Sequence, residues 1–180
     1  MNFQEWKSKH LTPKKVVGRI LEIAIFILAL WGVMAWQERN LLPDDGSVSL
    51  PTHIEVQRLS DGEKVLLGDE LNPEKSLVYF FAPWCSICKM SAPNLNDLQN
   101  ENAQVIAIAL SYDSVDDVQE FVNSSNLNIP VYLGNNQISQ LFNVEAFPTY
   151  YLLNKDLRIL DRSVGYSTGI GMKWRLGRAD

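Results

Sequence analysis

The chain has 180 residues, of which 46% are hydrophobic and 21% are charged. That length is enough for one packed domain plus an appendage, but too short for two typical domains. Residues 1–19 carry a net charge of +4, whereas the whole chain carries −5, so the remaining residues carry −9. An acidic body of this kind excludes nucleic acid as a partner, because nucleic acid requires a basic surface.

The first predicted element is a membrane anchor at residues 20–37, preceded by a basic lead at residues 1–19. With Val16 and Val17 added, the apolar stretch is long enough to cross most of a hydrocarbon core. The positive-inside rule keeps the N-terminus cytoplasmic. We therefore predict a single-pass protein of the cytoplasmic (inner) membrane with its catalytic domain in the periplasm. A cleaved signal peptide is the alternative, because residues 33–35 resemble a cleavage site, but the long basic lead favours an uncleaved anchor.

Residues 38–51 contain two prolines, a glycine, two aspartates and two serines. This composition predicts a short flexible stalk, with a folded domain at residues 52–180. Apolar residues at 54–59 partly alternate with polar ones, Asp61-Gly62 marks a tight turn, and an apolar run returns at 65–67. This pattern predicts a β-hairpin at the entrance of the domain.

Further along the chain, apolar runs predict strands and amphipathic spacing predicts helices. The predicted strands are residues 77–81, 105–110, 129–133, 149–153 and 159–164. The predicted helices are residues 88–98, with a kink at Pro93, a helix capped by Ser114, and residues 138–142. Strands that alternate with helices before a terminal hairpin predict an α/β domain with a mixed central sheet.

Cys85 and Cys88 are the only cysteines, and they follow directly after the strand predicted at 77–81. A structural disulfide is disfavoured, because so small a loop removes little entropy from the unfolded chain. A zinc or iron-sulfur site needs about four ligands, and His10 and His53 have no partner at ligand spacing. We therefore predict no metal and no cofactor. What remains is a reversible dithiol/disulfide couple, with the first sulfur at a helix start that favours its thiolate.

The segment Phe81-Ala82-Pro83-Trp84-Cys85-Ser86-Ile87-Cys88-Lys89 resembles the active-site segment of the thioredoxin superfamily, and Phe147-Pro148-Thr149 resembles its cis-proline loop. With the anchor, the entrance hairpin and Pro93, the chain is more narrowly similar to the membrane-tethered TlpA/ResA/DsbE group of extracytoplasmic thiol:disulfide oxidoreductases. The resemblance covers about residues 51–165. It implies a thioredoxin-like three-layer fold, with a mixed sheet flanked by helices and an N-terminal hairpin extension.

The resemblance also implies roles for particular residues. Cys85 would be the attacking nucleophile and Cys88 the resolving thiol. The substrate-binding residues would be Trp84, Phe147, Pro148 and Thr149, with Pro148 as the cis-proline that faces the sulfurs. The implied partners are protein thiols and disulfides. A reductase in the oxidising exported compartment would in addition need a transmembrane electron donor. Trp84 as an ordinary core residue, and Pro148 as a trans turn proline, remain alternatives.

The chain departs from the family pattern in three respects. Ser91 stands where cytochrome-maturation members carry a glutamate, and Tyr79 stands where thioredoxin has a buried aspartate. Asn143 and Ala146 replace glycines before the proline. Without either acid, proton exchange with Cys88 has to rely on water or Lys89, and the resemblance does not extend to a cytochrome c substrate.

The dipeptide Ser86-Ile87 lacks the histidine of strong oxidants, which favours a reducing couple and hence a reductase. An oxidase or isomerase on the same fold is an alternative. A non-catalytic redox-dependent binding module is another, although two sulfurs with no nearby histidine or methionine cluster supply few ligands. A thiol peroxidase is disfavoured, because Ala82 stands where such enzymes place a hydrogen-bonding threonine.

Overall fold

The computed structural model describes residues 13–51, 53–71, 74–98 and 103–178. The chain divides into two compact units, Met1–Arg39 and Asn40–Asp180. The described part of the first unit holds the helix α1, at Pro13–Glu38, and its stretch Val16–Val33 is long and apolar enough to span a membrane. The helix begins earlier than the anchor predicted at 20–37. Proline suits the first helical position, where its missing N–H is not needed.

The second unit is built on seven strands. They are β1 Glu55–Arg58, β2 Lys64–Leu66, β3 Lys75–Phe81, β4 Gln104–Ala109, β5 Val131–Leu133, β6 Thr149–Asn154 and β7 Ile159–Val164. They form one sheet in the order β2-β1-β5-β4-β3-β6-β7, in which β4 runs parallel to β3 and β5 and the other pairs are antiparallel. The mixed sheet and the hairpin extension are confirmed, since β1 and β2 pair with each other and β1 joins β5.

The helices of this unit are α2 Ser86–Ser91, α3 Val115–Ser124, α4 Asn136–Leu141 and α5 Gly169–Arg178, with 3-10 helices at Leu67–Glu70 and Ala92–Leu98. The helix predicted at 88–98 changes to 3-10 geometry at Ala92, because Pro93 has no N–H for an α-helical hydrogen bond. Ser114 caps α3 in a reciprocal capping box with Asp117. α5 was not predicted, and it is held by its buried residues Met172 and Leu176.

Alternate side chains of the central strands enter two hydrophobic cores, one on each face of the sheet. Tyr79 and Phe81 of β3 lie in the core that also contains Cys85 and Cys88. Val78 and Phe80 lie in the core on the other face. The period of two along a strand produces this separation and places the cysteine pair over one face of β3.

The predicted flexible stalk at residues 38–51 is wrong for most of its length, because the folded unit begins at Asn40. Leu41 and Leu50 are 7% and 4% exposed. The Leu50 N–H donates to the Leu157 carbonyl at 3.0 Å, and the Leu42 N–H donates to the Tyr151 hydroxyl at 3.2 Å. Scattered leucines among turn-forming residues pack onto the domain, and composition alone did not reveal this.

Candidate active site

The two cysteines lie where β3 leads into α2. Cys85 is the N-cap residue of α2, with an extended backbone at φ −82° and ψ 106°. Its sulfur accepts a hydrogen bond from the backbone N–H of Cys88 at 3.1 Å, and the two sulfurs are joined in a disulfide. An N–H at a helix start favours negative charge on the atom it contacts. This position of the first sulfur agrees with the sequence prediction.

The two cysteines differ little in exposure. Cys85 is 7% exposed and Cys88 is fully buried. Cys85 is thus the more accessible of the two cysteines, as its role as the attacking nucleophile would require.

Trp84 is a surface residue, 68% exposed, so the alternative of an ordinary core tryptophan is excluded. Its indole nitrogen donates to the Ser111 carbonyl at 2.8 Å. Its ring meets the edge of the Phe147 ring, with centroids 5.8 Å apart. The two aromatic side chains therefore form one surface beside Cys85, although they are far apart in the sequence.

The peptide bond between Phe147 and Pro148 is cis, as the family resemblance implies. Pro148 and Thr149 are both buried. The Thr149 hydroxyl donates to the Ala146 carbonyl at 2.8 Å. The buried Thr149 side chain therefore holds the loop in place, and a substrate-binding role for Thr149 through its backbone stays a prediction.

Tyr79 and Ser91, which stand where related proteins carry an acidic residue, both lie close to the backbone of Cys88. The Tyr79 hydroxyl donates to the Cys88 carbonyl at 3.1 Å and lies 3.1 Å from Ser91 Oγ. Ser91 Oγ also donates to the Cys88 carbonyl, at 3.2 Å. Burial raises the pKa of Tyr79 well above its usual value, so this hydroxyl stays neutral. Strand alternation could have placed Tyr79 on the same face as Phe81, but it could not have placed Ser91 above it.

A cleft of about 330 Å³ opens beside Trp84. Its polar lining includes Lys89 from the active-site helix and Asp113 and Glu120 from the α3 region. A larger cleft of about 550 Å³ lies beside the hairpin, away from the cysteines, and Tyr112 lines both. The smaller cleft is lined by Trp84 and Lys89, which flank the reactive pair in the sequence.

In the described ranges, no group of three or more His, Cys, Asp or Glu side chains is arranged to hold a metal ion.

Residues 49–162 match the sequence profile of the AhpC/TSA family. The chain belongs to the AhpC/TSA family. The match covers nearly the same range as the resemblance predicted at 51–165. The chain is similar to the thioredoxin-like protein YneN of Bacillus subtilis, 32% identical over 120 residues that cover 64% of this chain and 70% of YneN. The thiol-disulfide oxidoreductase ResA of Bacillus anthracis is 27% identical over 166 residues, which cover 90% of this chain and 92% of ResA.

Among solved structures, a thiol:disulfide interchange protein DsbE from Chlorobium tepidum superposes with a TM-score of 0.62 at 22% identity. The superposition covers 73% of this chain and 99% of that one. It confirms the thioredoxin-like fold. This AhpC/TSA family member is therefore a thiol-disulfide oxidoreductase of the ResA/DsbE type, with Cys85 and Cys88 as its Cys-x-x-Cys pair.

Proposed function

We propose that the protein is a membrane-tethered, extracytoplasmic reductase of protein disulfides. The observation that carries this proposal is the position of Cys85. Its sulfur caps α2 and accepts the Cys88 N–H at 3.1 Å, at the edge of an exposed aromatic surface. A sulfur in such a position is favoured as a thiolate, and the thiolate is the form that attacks disulfides.

In the first step, the Cys85 thiolate attacks one sulfur of a client disulfide. The client S–S bond breaks, a mixed disulfide forms, and the departing client thiolate takes a proton from water. In the second step, Cys88 gives up its proton to water and attacks Cys85 Sγ, which releases the second client thiolate. The client gains two electrons and the chain is left with the Cys85–Cys88 disulfide.

The direction of electron flow follows from how weakly the Cys85 thiolate is stabilised. In the described part of the chain, the hydrogen bond to its sulfur comes from a backbone N–H, and no imidazole or cationic side chain donates to it. A helix terminus contributes on the order of 1 kcal/mol. Because about 1.4 kcal/mol corresponds to 30 mV, the potential should lie nearer to the roughly −270 mV of thioredoxin than to the roughly −120 mV of a strong oxidant.

Client proteins would bind along the surface formed by Trp84 and Phe147. An extended client segment could pair as an added strand with the backbone beside Pro148. The adjoining cleft, with Lys89, Asp113 and Glu120, would accept the polar residues that flank the client cysteine. This surface supports a protein substrate, because it extends well beyond the two sulfurs.

Membrane attachment rests on α1 and its basic lead. The positive-inside rule orients the N-terminus toward the cytoplasm and the second unit toward the exported side. Since the exported compartment is kept oxidising, a reductase there needs electrons from a transmembrane donor. A reporter enzyme that works only after export should be active when it is fused after Arg39. Activity of a reporter that works only in the cytoplasm would contradict this orientation.

The equilibrium with glutathione tests the reductase proposal. Full-length protein in detergent should show a reduction potential near −270 mV, the value of thioredoxin. A potential above about −180 mV, the value of an isomerase, would contradict the reductase proposal and favour the oxidase or isomerase alternative.

A further inference from the structure

Two tyrosines lie side by side in the core beneath the cysteine pair. Tyr79 on β3 and Tyr150 on β6 are partners across neighbouring strands, and their ring centroids are 5.0 Å apart. Both belong to the core that contains the cysteines, and they are 0% and 3% exposed. Their environments are alike in burial and strand position, but their hydroxyls are used differently.

The Tyr79 hydroxyl is one corner of a triangle of oxygen atoms. The other corners are Ser91 Oγ and the Cys88 carbonyl oxygen, and the three separations are 3.1, 3.1 and 3.2 Å. All three residues are buried, and both hydroxyls point at the same carbonyl. The backbone N–H of Ala92 also donates to this carbonyl. The peptide group of Cys88 is therefore held from several sides.

The Tyr150 hydroxyl has no hydrogen-bond partner among the described residues. Burial raises the pKa of Tyr150 to about 12. The nearby Ser91 hydroxyl offsets part of that rise, although the two hydroxyls form no hydrogen bond of normal geometry. Tyr150 thus supplies a buried phenol next to Tyr79 that makes no hydrogen bond to the Cys88 peptide.

We propose that Tyr79 and Ser91 are positioning residues for Cys88, and that their hydroxyls fix its carbonyl and thereby direct its sulfur toward Cys85 Sγ. The inference rests on the proposed role of Cys88 as the resolving thiol. In that step a Cys85–Cys88 bond forms, the bond from Cys85 to the client sulfur breaks, the client sulfur leaves with the electron pair, and the Cys88 proton passes to water.

The need for such positioning follows from the shortness of the helix. α2 has six residues and changes to 3-10 geometry at Ala92, so only a short stretch of regular helix carries Cys88. Intramolecular attack is fast only when the reacting atoms are held in line. Loosening the Cys88 peptide should lower both the rate of ring closure and the stability of the disulfide, whichever partner supplies the electrons.

Three single variants of the full-length protein in detergent test the proposal. Tyr79→Phe and Ser91→Ala each remove one hydroxyl from the triangle, and Tyr150→Phe removes the neighbouring hydroxyl, which makes no hydrogen bond to the Cys88 carbonyl. We expect Tyr79→Phe and Ser91→Ala to slow the resolution of a preformed mixed disulfide about fivefold. We expect them to lower the equilibrium constant for forming the Cys85–Cys88 disulfide with oxidised glutathione about fivefold. This corresponds to a reduction potential about 20 mV less negative, at 29.6 mV per tenfold. Tyr150→Phe should leave both quantities within about twofold of wild type.

The double variant, which combines Tyr79→Phe with Ser91→Ala, distinguishes positioning of Cys88 from a general loss of packing. Because both hydroxyls hold the same carbonyl, the effects of Tyr79→Phe and Ser91→Ala should not add. The proposal is overturned if both single variants match wild type in resolution rate and potential, or if Tyr150→Phe changes them as much. If Tyr79→Phe does not fold, Ser91→Ala carries the same test. A wild-type potential above about −180 mV would contradict the proposed reductase direction but leave these differences between variants unaffected.

Discussion

The indole nitrogen of Trp84 donates a hydrogen bond to the carbonyl oxygen of Ser111 at 2.8 Å. This bond joins the residue before Cys85 to the segment that follows β4. Ser111 has a φ of 52°, a left-handed conformation that turns the chain there. The bond and the contact with Phe147 together hold a large aromatic ring in a fixed, exposed position beside the reactive sulfur.

Trp84→Ala should therefore impair reaction with protein disulfides more than reaction with small ones. Exposed tryptophans at binding surfaces often contribute more than 1 kcal/mol. We expect kcat/KM for a protein disulfide to fall about tenfold, or about 1.4 kcal/mol, while the rate with oxidised glutathione stays within about twofold. Trp174→Ala is the matched control, because Trp174 is 60% exposed on α5 and stacks on Arg178. Equal losses in both variants would contradict a role for Trp84 in client binding.

The roles of the two cysteines predict different trapping behaviour. Cys88→Ser should accumulate mixed disulfides between Cys85 and client proteins, because the resolving thiol is missing. Cys85→Ser should trap none, because Cys88 is fully buried and cannot reach a client. Non-reducing electrophoresis after acid quench measures the adducts. Equal trapping by both variants would contradict the assignment of nucleophile and resolving thiol.

Local chain chemistry explains why the cysteine site could be predicted. An apolar strand, a Cys-x-x-Cys pair and a helix start follow one another directly, so the position of Cys85 was evident from the sequence. The contacts of Tyr79 with Ser91, and of Trp84 with Phe147, depend instead on how separate elements pack. No local pattern specifies such contacts.

Two other parts of the domain were missed for different reasons. α5 contains Gly169, Gly171 and Gly177, which lower helix propensity, and the packing of Met172 and Leu176 overrides that preference. Residues 40–51 have the composition of a linker, but two of their leucines are buried in the domain. In both cases tertiary packing decided the outcome, and it is not visible in composition.

The packing of this N-terminal segment can be tested through stability. Leu50 is 4% exposed, so Leu50→Ala should lower the free energy of unfolding by about 2 to 4 kcal/mol. Leu66→Ala is the control, because Leu66 is 42% exposed, and it should cost less than about 1 kcal/mol. Denaturant titration followed by circular dichroism measures both. A loose stalk would instead make the Leu50 variant as stable as wild type.

The carboxylate of Glu70 links Arg58 of β1 to Tyr132 of β5, and its contribution to stability should depend on pH. The Tyr132 hydroxyl donates to Glu70 at 2.5 Å, and Arg58 donates to the other carboxylate oxygen at 2.7 Å. The Tyr132 hydrogen bond, and then that from Arg58, lower the pKa of Glu70 below its usual 4.5. Because the folded-state pKa is the lower one, the stabilisation is complete above about pH 4.5 and is lost as the pH falls through the folded-state value.

Glu70→Gln should accordingly destabilise the protein at pH 7 by about 1 kcal/mol. The difference from wild type should shrink as the pH is lowered below 4.5. Glu63→Gln provides the control, because Glu63 bonds to the same arginine but its side chain is 65% exposed. Thermal unfolding at a series of pH values measures both differences. If the stability difference between Glu70→Gln and wild type persisted unchanged at low pH, the charged hydrogen bonds of Glu70 could not be its cause.

The redox state of Cys85 and Cys88 in growing cells tests the reductase account most directly. Acid quench followed by alkylation of free thiols fixes that state before extraction, and a mass-adding reagent separates the dithiol from the disulfide on a gel. We predict that the wild-type protein is mostly the dithiol, because a transmembrane donor keeps reducing it. A fully oxidised pool in wild-type cells would contradict the reductase direction and favour an oxidase.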